Sequence, residues 1–107
     1  MEYAEDQVQK VMEELNTPGT VINCQTYEEA QTLFQILASK SVKWSGDTYV
    51  LEDEIIGWDT YRGDTIYTLR DGKLRYGGLQ YAISRGDRIV CFQDISPSVS
   101  LWDMLSV

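Results

Sequence analysis

The sequence predicts an α+β domain with a mainly antiparallel sheet, on one face of which an N-terminal helix and a second helix pack. Three observations predict this class. Two stretches with helical spacing of apolar residues occupy the first 40 positions, and short β-prone segments separated by turn residues follow. The pair Asp71-Gly72 lies between two of these segments and indicates a hairpin. A chain of 107 residues corresponds to one domain, residues 1–107.

Both predicted helices are amphipathic. The first covers residues 3–15 and ends at Asn16-Thr17-Pro18-Gly19, where turn residues cluster. The second starts after Thr26, an N-cap that forms a capping box with Glu29, and it runs to about Lys40. A short terminal helix is also predicted behind Ser98, which is a candidate N-cap.

Short β-prone segments supply the predicted sheet. They are Thr20 to Gln25, Val42 to Trp44, Thr48 to Leu51, Ile55 to Trp58, Thr65 to Arg70, Lys73 to Gly77, and Arg88 to Gln93. The first strand and the helix behind it could add one parallel pairing, and the sequence leaves that direction open.

Composition indicates a globular cytoplasmic protein. No apolar run reaches the length of a membrane span, and the first residues are acidic where a signal peptide carries positive charge. We therefore expect a protein that remains in the cytosol where it is made and has no membrane partner. The two cysteines, Cys24 and Cys91, each lie in an apolar run, so we expect two buried free thiols.

The residue types that usually carry catalysis are missing. The chain has no histidine, two cysteines cannot complete a zinc site, and neither a phosphate-binding loop nor a dinucleotide-binding glycine pattern occurs. We predict a protein that is not an enzyme and has no cofactor or metal. One exception stays open: clustered carboxylates could hold Mg²⁺ or act as an acid–base pair, namely Glu52, Asp53, Glu54, Asp59 and Asp64.

Tyrosines near arginines allow a nucleic-acid interpretation. The hairpin region carries Tyr67, Tyr76 and Tyr81, which could stack on bases. Nearby basic side chains could contact phosphates; they are Arg62, Arg70, Lys73, Arg75, Arg85 and Arg88. The alternative is that strand alternation buries one aromatic face in the core. The overall charge of −8 argues against direct nucleic-acid binding.

The charge is distributed unevenly along the chain. Residues 1–59 hold twelve acids and three bases, whereas residues 60–107 hold five acids and six bases. An acidic surface can imitate a row of phosphates and bind a basic groove on another protein, and a plain solvated surface is the alternative. The candidate partner-binding residues are Glu28, Glu29, Asp47, Glu52, Asp53, Glu54, Trp58 and Asp59.

One stretch resembles small bacteriophage and prophage proteins. Val21-Ile22-Asn23-Cys24, the helix start Thr26-Tyr27-Glu28-Glu29-Ala30 and Lys43-Trp44 are similar to a strand, a capped helix and a strand in those proteins. The segment from Val90 to Ile95 resembles their closing strand and tail. Ser41-Val42 replaces the glycine usual before Lys-Trp, and helix 3–15 is an addition. The resemblance covers about residues 21–95 and identifies no functional residue.

The resemblance implies a mobile-element origin. Small acidic phage proteins often bind and block a host protein, and anti-CRISPR proteins are one such class. We therefore expect an inhibitor of a host nucleic-acid-binding or defence protein, for example a CRISPR effector, acting as a monomer or homodimer. The alternatives are a self-assembling structural or accessory phage protein, a Mg-dependent carboxylate enzyme, and a nucleic-acid-binding module.

Overall fold

A computed structural model describes the backbone of residues 5–95 and the side chains of residues 8–95. Within that part the helices are α1 (Glu5–Asn16), α2 (Tyr27–Ser39), α3 (Trp58–Tyr61), α4 (Leu79–Arg85) and α5 (Phe92–Ile95), with a 3₁₀ turn at Arg62–Asp64. The strands are β1 (Thr20–Cys24), β2 (Lys43–Trp44), β3 (Thr65–Arg70), β4 (Lys73–Gly78) and β5 (Arg88–Cys91).

The strands form one sheet in the order β2-β4-β3-β1-β5. The α+β class is confirmed, but the prediction of a mainly antiparallel sheet needs correction, because the sheet is mixed. Strand β3 pairs antiparallel with β1 and β4, while β5 pairs parallel with β1 and β2 pairs parallel with β4. The Asp-Gly turn dictates only the direction of the local β3–β4 hairpin, whereas strands far apart in the chain take their direction from the connections between them.

Helices α1 and α2 lie on one face of the sheet and bury the main core. Helix α1 contributes Val8, Val11 and Leu15, and the buried side of α2 includes Leu33 and Phe34. The predicted cap of α2 is confirmed: the Thr26 hydroxyl accepts a hydrogen bond from the Glu29 amide at 3.1 Å. The Glu29 carboxylate in turn accepts from the Gln25 amide at 2.9 Å. The first bond satisfies a donor that the first helical turn leaves unpaired, and the second ties the residue before the N-cap to that turn.

Helix α4 covers only part of the opposite face. Its Ala82 packs with Val21 and Ile66, and Gly86 ends the helix with a left-handed φ of 76°. Helix α4 was not predicted from the sequence, because seven residues are too few for a clear helical period. The rest of this face, along β3 and β4, stays open and carries polar and charged side chains.

Two predicted strands are wrong. In Thr48 to Leu51, Tyr49 forms one isolated bridge with Lys43, and Ile55 to Trp58 becomes a turn that leads into α3. Gly57 takes a φ of 96° at the start of α3, which interrupts an extended chain. Strand β5 ends at Cys91 rather than at Gln93, because α5 begins at Phe92. The predicted helix behind Ser98 lies outside the described residues.

Tyr67 connects the sheet, α2 and the segment before α3. It pairs with Ile22 of β1 and with Tyr76 of β4, and it is fully buried. Its ring contacts Phe34 edge-on, with the centroids 5.1 Å apart. Its hydroxyl donates a hydrogen bond to the carbonyl of Ile56 at 2.9 Å. One side chain thus fixes three elements.

Both cysteines are free thiols, as predicted. Cys24 is buried on the core face, which confirms the prediction of burial for this residue. Cys91 is only half-buried. Burial, and secondarily the charge of Glu29, raises the pKa of the Cys24 thiol well above its ordinary value. None of the described helices combines the length and apolarity needed to cross a membrane.

We expect Tyr67→Phe to lower the free energy of unfolding by about 1–2 kcal/mol, because it removes one buried hydrogen bond and leaves the Ile56 carbonyl unpaired. Urea unfolding measures the change. The ring contact with Phe34 is kept in this variant, whereas Phe34→Ala loses it and should cost about 3–5 kcal/mol. Equal losses in the two variants would contradict the separate roles of hydroxyl and ring.

We also expect stability to fall as the pH rises past about 9 to 10. Burial raises the pKa of Tyr67 as well as that of Cys24, so both groups keep their protons in the folded state while the unfolded chain releases them. Ionisation of the unfolded chain then favours unfolding at high pH. Urea titrations between pH 7 and 11 check this, and Tyr67→Phe with Cys24→Ala should flatten the slope. An unchanged slope in the double variant would contradict the assignment.

Candidate functional site

A ring contact joins two acidic segments that are distant in sequence. Tyr27 opens α2 and meets Trp58, the first residue of α3, with centroids 6.0 Å apart and planes at 66°. Glu28 follows the first ring in the chain and Asp59 follows the second. Because the rings touch, the two exposed carboxylates belong to the same region of the surface.

The segment between Val50 and Gly57, which leads directly into Trp58, carries three further acids. Val50 is buried and its amide donates to the Val42 carbonyl at 2.9 Å, while Ile56 is held by the Tyr67 hydroxyl. The three acids between these anchors are all exposed. We call the exposed carboxylates of both segments the acidic patch, which comprises Glu28, Glu52, Asp53, Glu54 and Asp59.

Three of the predicted site residues, namely Glu29, Trp58 and Asp47, are not free exposed side chains of the acidic patch. Glu29 is half-buried and its carboxylate caps the start of α2. Trp58 is half-buried against the main core, so it positions Tyr27 rather than projecting into solvent.

Asp47 forms an ion pair with Lys73, at the turn end of the β3–β4 hairpin. The hydrogen bond from Lys73 and then its charge hold the pKa of Asp47 below the usual range. Gly78, at the other end of β4, lies near Tyr61. Asp47 is therefore already paired and lies at the end of β4 opposite to Tyr61, so it is not counted in the acidic patch.

Two exposed tyrosines adjoin the acidic patch and were not among the predicted site residues. Tyr27 is 41% exposed and Tyr61 is 39% exposed. Tyr61 ends α3 and lies over Gly78, where an added Cβ would come within 2.8 Å of its Cε1. The Gly77-Gly78 pair is the sequence signal for this close approach, because a strand glycine often marks a place where another group comes near.

The sequence analysis also raised a metal site and a base-stacking surface, and the structure bears on each differently. Among the side chains of residues 8–95, no group of three or more acidic or cysteine side chains is arranged to hold a metal ion. The geometry of the carboxylate cluster therefore gives no support to a Mg²⁺ site. Tyr67 is fully buried and is excluded as a base-stacking residue, as the core alternative anticipated. Tyr76 and Tyr81 are exposed.

Comparisons of the chain with protein-family models, curated proteins and solved structures gave no match.

We expect Gly78→Ala to displace the Tyr61 ring, because the new methyl group would meet it at 2.8 Å. Gly78 has a φ of −97°, which alanine adopts freely, so the cost is the ring contact rather than the backbone. The free energy of unfolding should fall by about 1–3 kcal/mol, as overpacking does, and the NMR shifts of the Tyr61 ring should move.

Gly77→Ala is the matched control. Its Cβ would lie 3.7 Å from Ile66 Cδ1, an ordinary contact, and the change should be neutral or stabilise by about 0.5 kcal/mol. If both variants destabilise equally, the Tyr61–Gly78 contact does not determine the position of the ring.

Proposed function

We propose that this protein is a phage or mobile-element protein that binds and inhibits a host nucleic-acid-binding or defence protein, for example a CRISPR effector, through the acidic patch. One observation carries the proposal. The Tyr27–Trp58 contact gathers carboxylates from two distant segments onto one surface, beside exposed aromatic side chains.

The composition of this surface supports a protein partner. Tyrosine is enriched at protein interfaces because it combines a large rigid contact area with a polar hydroxyl. Tyr27 and Tyr61 supply such area at the acidic patch. A basic groove that normally binds phosphates would attract the surrounding carboxylates and speed the encounter.

The charges of the patch are also available for binding. No ion pair involves Glu28, Glu52, Asp53, Glu54 or Asp59 within the described part of the chain. Glu14 and Asp47, in contrast, are already engaged, since Glu14 pairs with Arg88 at 2.5 Å and Asp47 pairs with Lys73. The five carboxylates of the patch are therefore free to meet the charges of a basic partner.

The test uses three baits: the natural chain, a patch variant (Glu52→Lys with Asp59→Lys) and a control variant (Glu13→Lys with Asp94→Lys). Each variant changes one exposed glutamate and one exposed aspartate, so the net charge is matched. Quantitative capture from bacterial lysate should retain a nucleic-acid-binding protein on the natural and control baits and lose it on the patch variant.

The captured protein is then purified and titrated. We expect the patch variant to weaken the complex by more than about tenfold, and higher salt to weaken the natural complex further. Adding the natural chain should release a nucleic acid from that partner. Equal affinity of all three baits, or a partner that keeps its nucleic acid, would refute the proposal.

A further inference from the structure

A cleft lies on the face of the sheet opposite to α1 and α2, and its volume is about 590 Å³. Strands β3 and β4 form its floor with Thr68, Arg75 and Gly77, and α4 forms one wall with Tyr81 and Arg85. Pockets that bind small molecules in proteins are typically about 300–1,000 Å³, so the cleft has the size for a small ligand.

Strand register places an unusual row of cations beside this cleft. Arg70 of β3 lies directly opposite Lys73 of β4, and Lys73 lies directly opposite Lys43 of β2. Arg75 is two residues beyond Lys73 and therefore points to the same face. Like charges directly opposite on neighbouring strands destabilise a sheet, so the row costs stability unless anions compensate it.

Compensation within the chain is incomplete. Lys73 pairs with Asp47, and the ammonium group of Lys43 lies 4.9 Å from the centroid of the Tyr49 ring. In the part of the chain that the structure describes, Arg70 and Arg75 have neither an ion pair nor a cation–π partner. Both arginines are exposed and both line the cleft.

The wall of the cleft adds a flat aromatic surface. Tyr81 is 61% exposed, and the Arg85 guanidinium lies 5.5 Å from its ring centroid. Arg85 is also 3.7 Å from Asp87, which lines the cleft together with Asp71. Since Asp87 is engaged by Arg85, the charge left over is that of Arg70 and Arg75 against Asp71, which is positive.

From these observations we infer that the cleft binds a small phosphate-bearing molecule with a planar ring, of the mononucleotide class. The guanidinium groups of Arg70 and Arg75 contact the phosphate oxygens, since arginine forms paired hydrogen bonds with phosphate. The planar ring stacks on Tyr81. A long nucleic acid is disfavoured, because the chain carries a net charge of −8 and its other acids would repel the extended polyanion. This site is separate from the acidic patch and does not depend on the function proposed above.

The experiment titrates the full chain with ATP, AMP and sodium pyrophosphate, followed by calorimetry and by amide chemical shifts. We expect saturable ATP binding with shift changes along β3, β4 and α4. Arg70→Gln and Arg75→Gln should each weaken ATP binding about tenfold, because each removes a charge-assisted hydrogen bond. Tyr81→Ala should weaken ATP and AMP but leave pyrophosphate unchanged.

Arg62→Gln is the matched control. Arg62 lies in the 3₁₀ turn before β3 and is not part of the cleft lining, so its removal should change ATP binding less than about twofold. Unfolding curves of each variant show whether it is folded. No binding of any probe at about millimolar concentration, or an Arg62→Gln loss equal to that of Arg70→Gln, would overturn the inference.

Two further outcomes would also overturn it. Equal affinity for ATP and pyrophosphate with no effect of Tyr81→Ala would remove the stacking role and with it the nucleotide class. A single-stranded oligonucleotide that binds much more tightly than ATP, through the same two arginines, would replace the small ligand by a nucleic-acid strand.

Discussion

The burial of Tyr67 is the constraint on which the other features depend. Its ring occupies the place where β1, β3, β4 and α2 meet, and its hydroxyl must find a partner because an unpaired polar group in a core is costly. The partner is the Ile56 carbonyl, which lies in a segment without regular secondary structure. The same hydrogen bond that satisfies the core therefore fixes the segment that carries Glu52, Asp53 and Glu54. A requirement of packing thereby determines where an acidic surface can lie.

Rings extend this constraint from the core to the surface. Phe34 contacts both Tyr67 and Trp44, Trp44 contacts Tyr76 at 6.0 Å, and Tyr76 contacts Tyr61 at 6.3 Å. Aromatic contacts of this kind stabilise by about 0.5–1.5 kcal/mol beyond burial and also restrict ring orientation. Tyr61 is consequently held at the surface in a defined position. A pre-ordered tyrosine loses less conformational entropy on binding than a free one, which suits an interface residue.

The features of the fold that depend on neighbouring residues could be predicted from the sequence, whereas the pairings between distant segments could not. The capping box at Thr26 and the Asp71-Gly72 turn involve residues only a few positions apart, so their geometry follows from backbone chemistry alone. The parallel pairings of β5 and β2 join residues that are far apart in sequence, and no periodicity encodes them. The same limit applies to the site. Exposed acids at 28, 52 to 54 and 59 could be named from the sequence. The Tyr27–Trp58 contact that brings positions 28 and 59 together, and the ion pair of Asp47 with Lys73, are tertiary contacts that the sequence does not show.

Strand alternation separates the two charge types of this chain. Successive side chains of β3 and of β4 point alternately to the two faces of the sheet. Tyr67 and Leu74 therefore enter the core, while Arg70 and Arg75 face away from it. The cations of β3 and β4 are therefore directed to the open face, whereas the acids that follow Tyr27 and Trp58 in the chain lie at the contact between those two rings. Ion pairs between these cations and the acids would have lowered the electrostatic energy of the sheet face, where cations lie directly opposite each other on neighbouring strands. The chain instead keeps an acidic surface and a basic cleft apart, each with unpaired charge, and unpaired charge of one sign is what a charged ligand or partner can neutralise on binding.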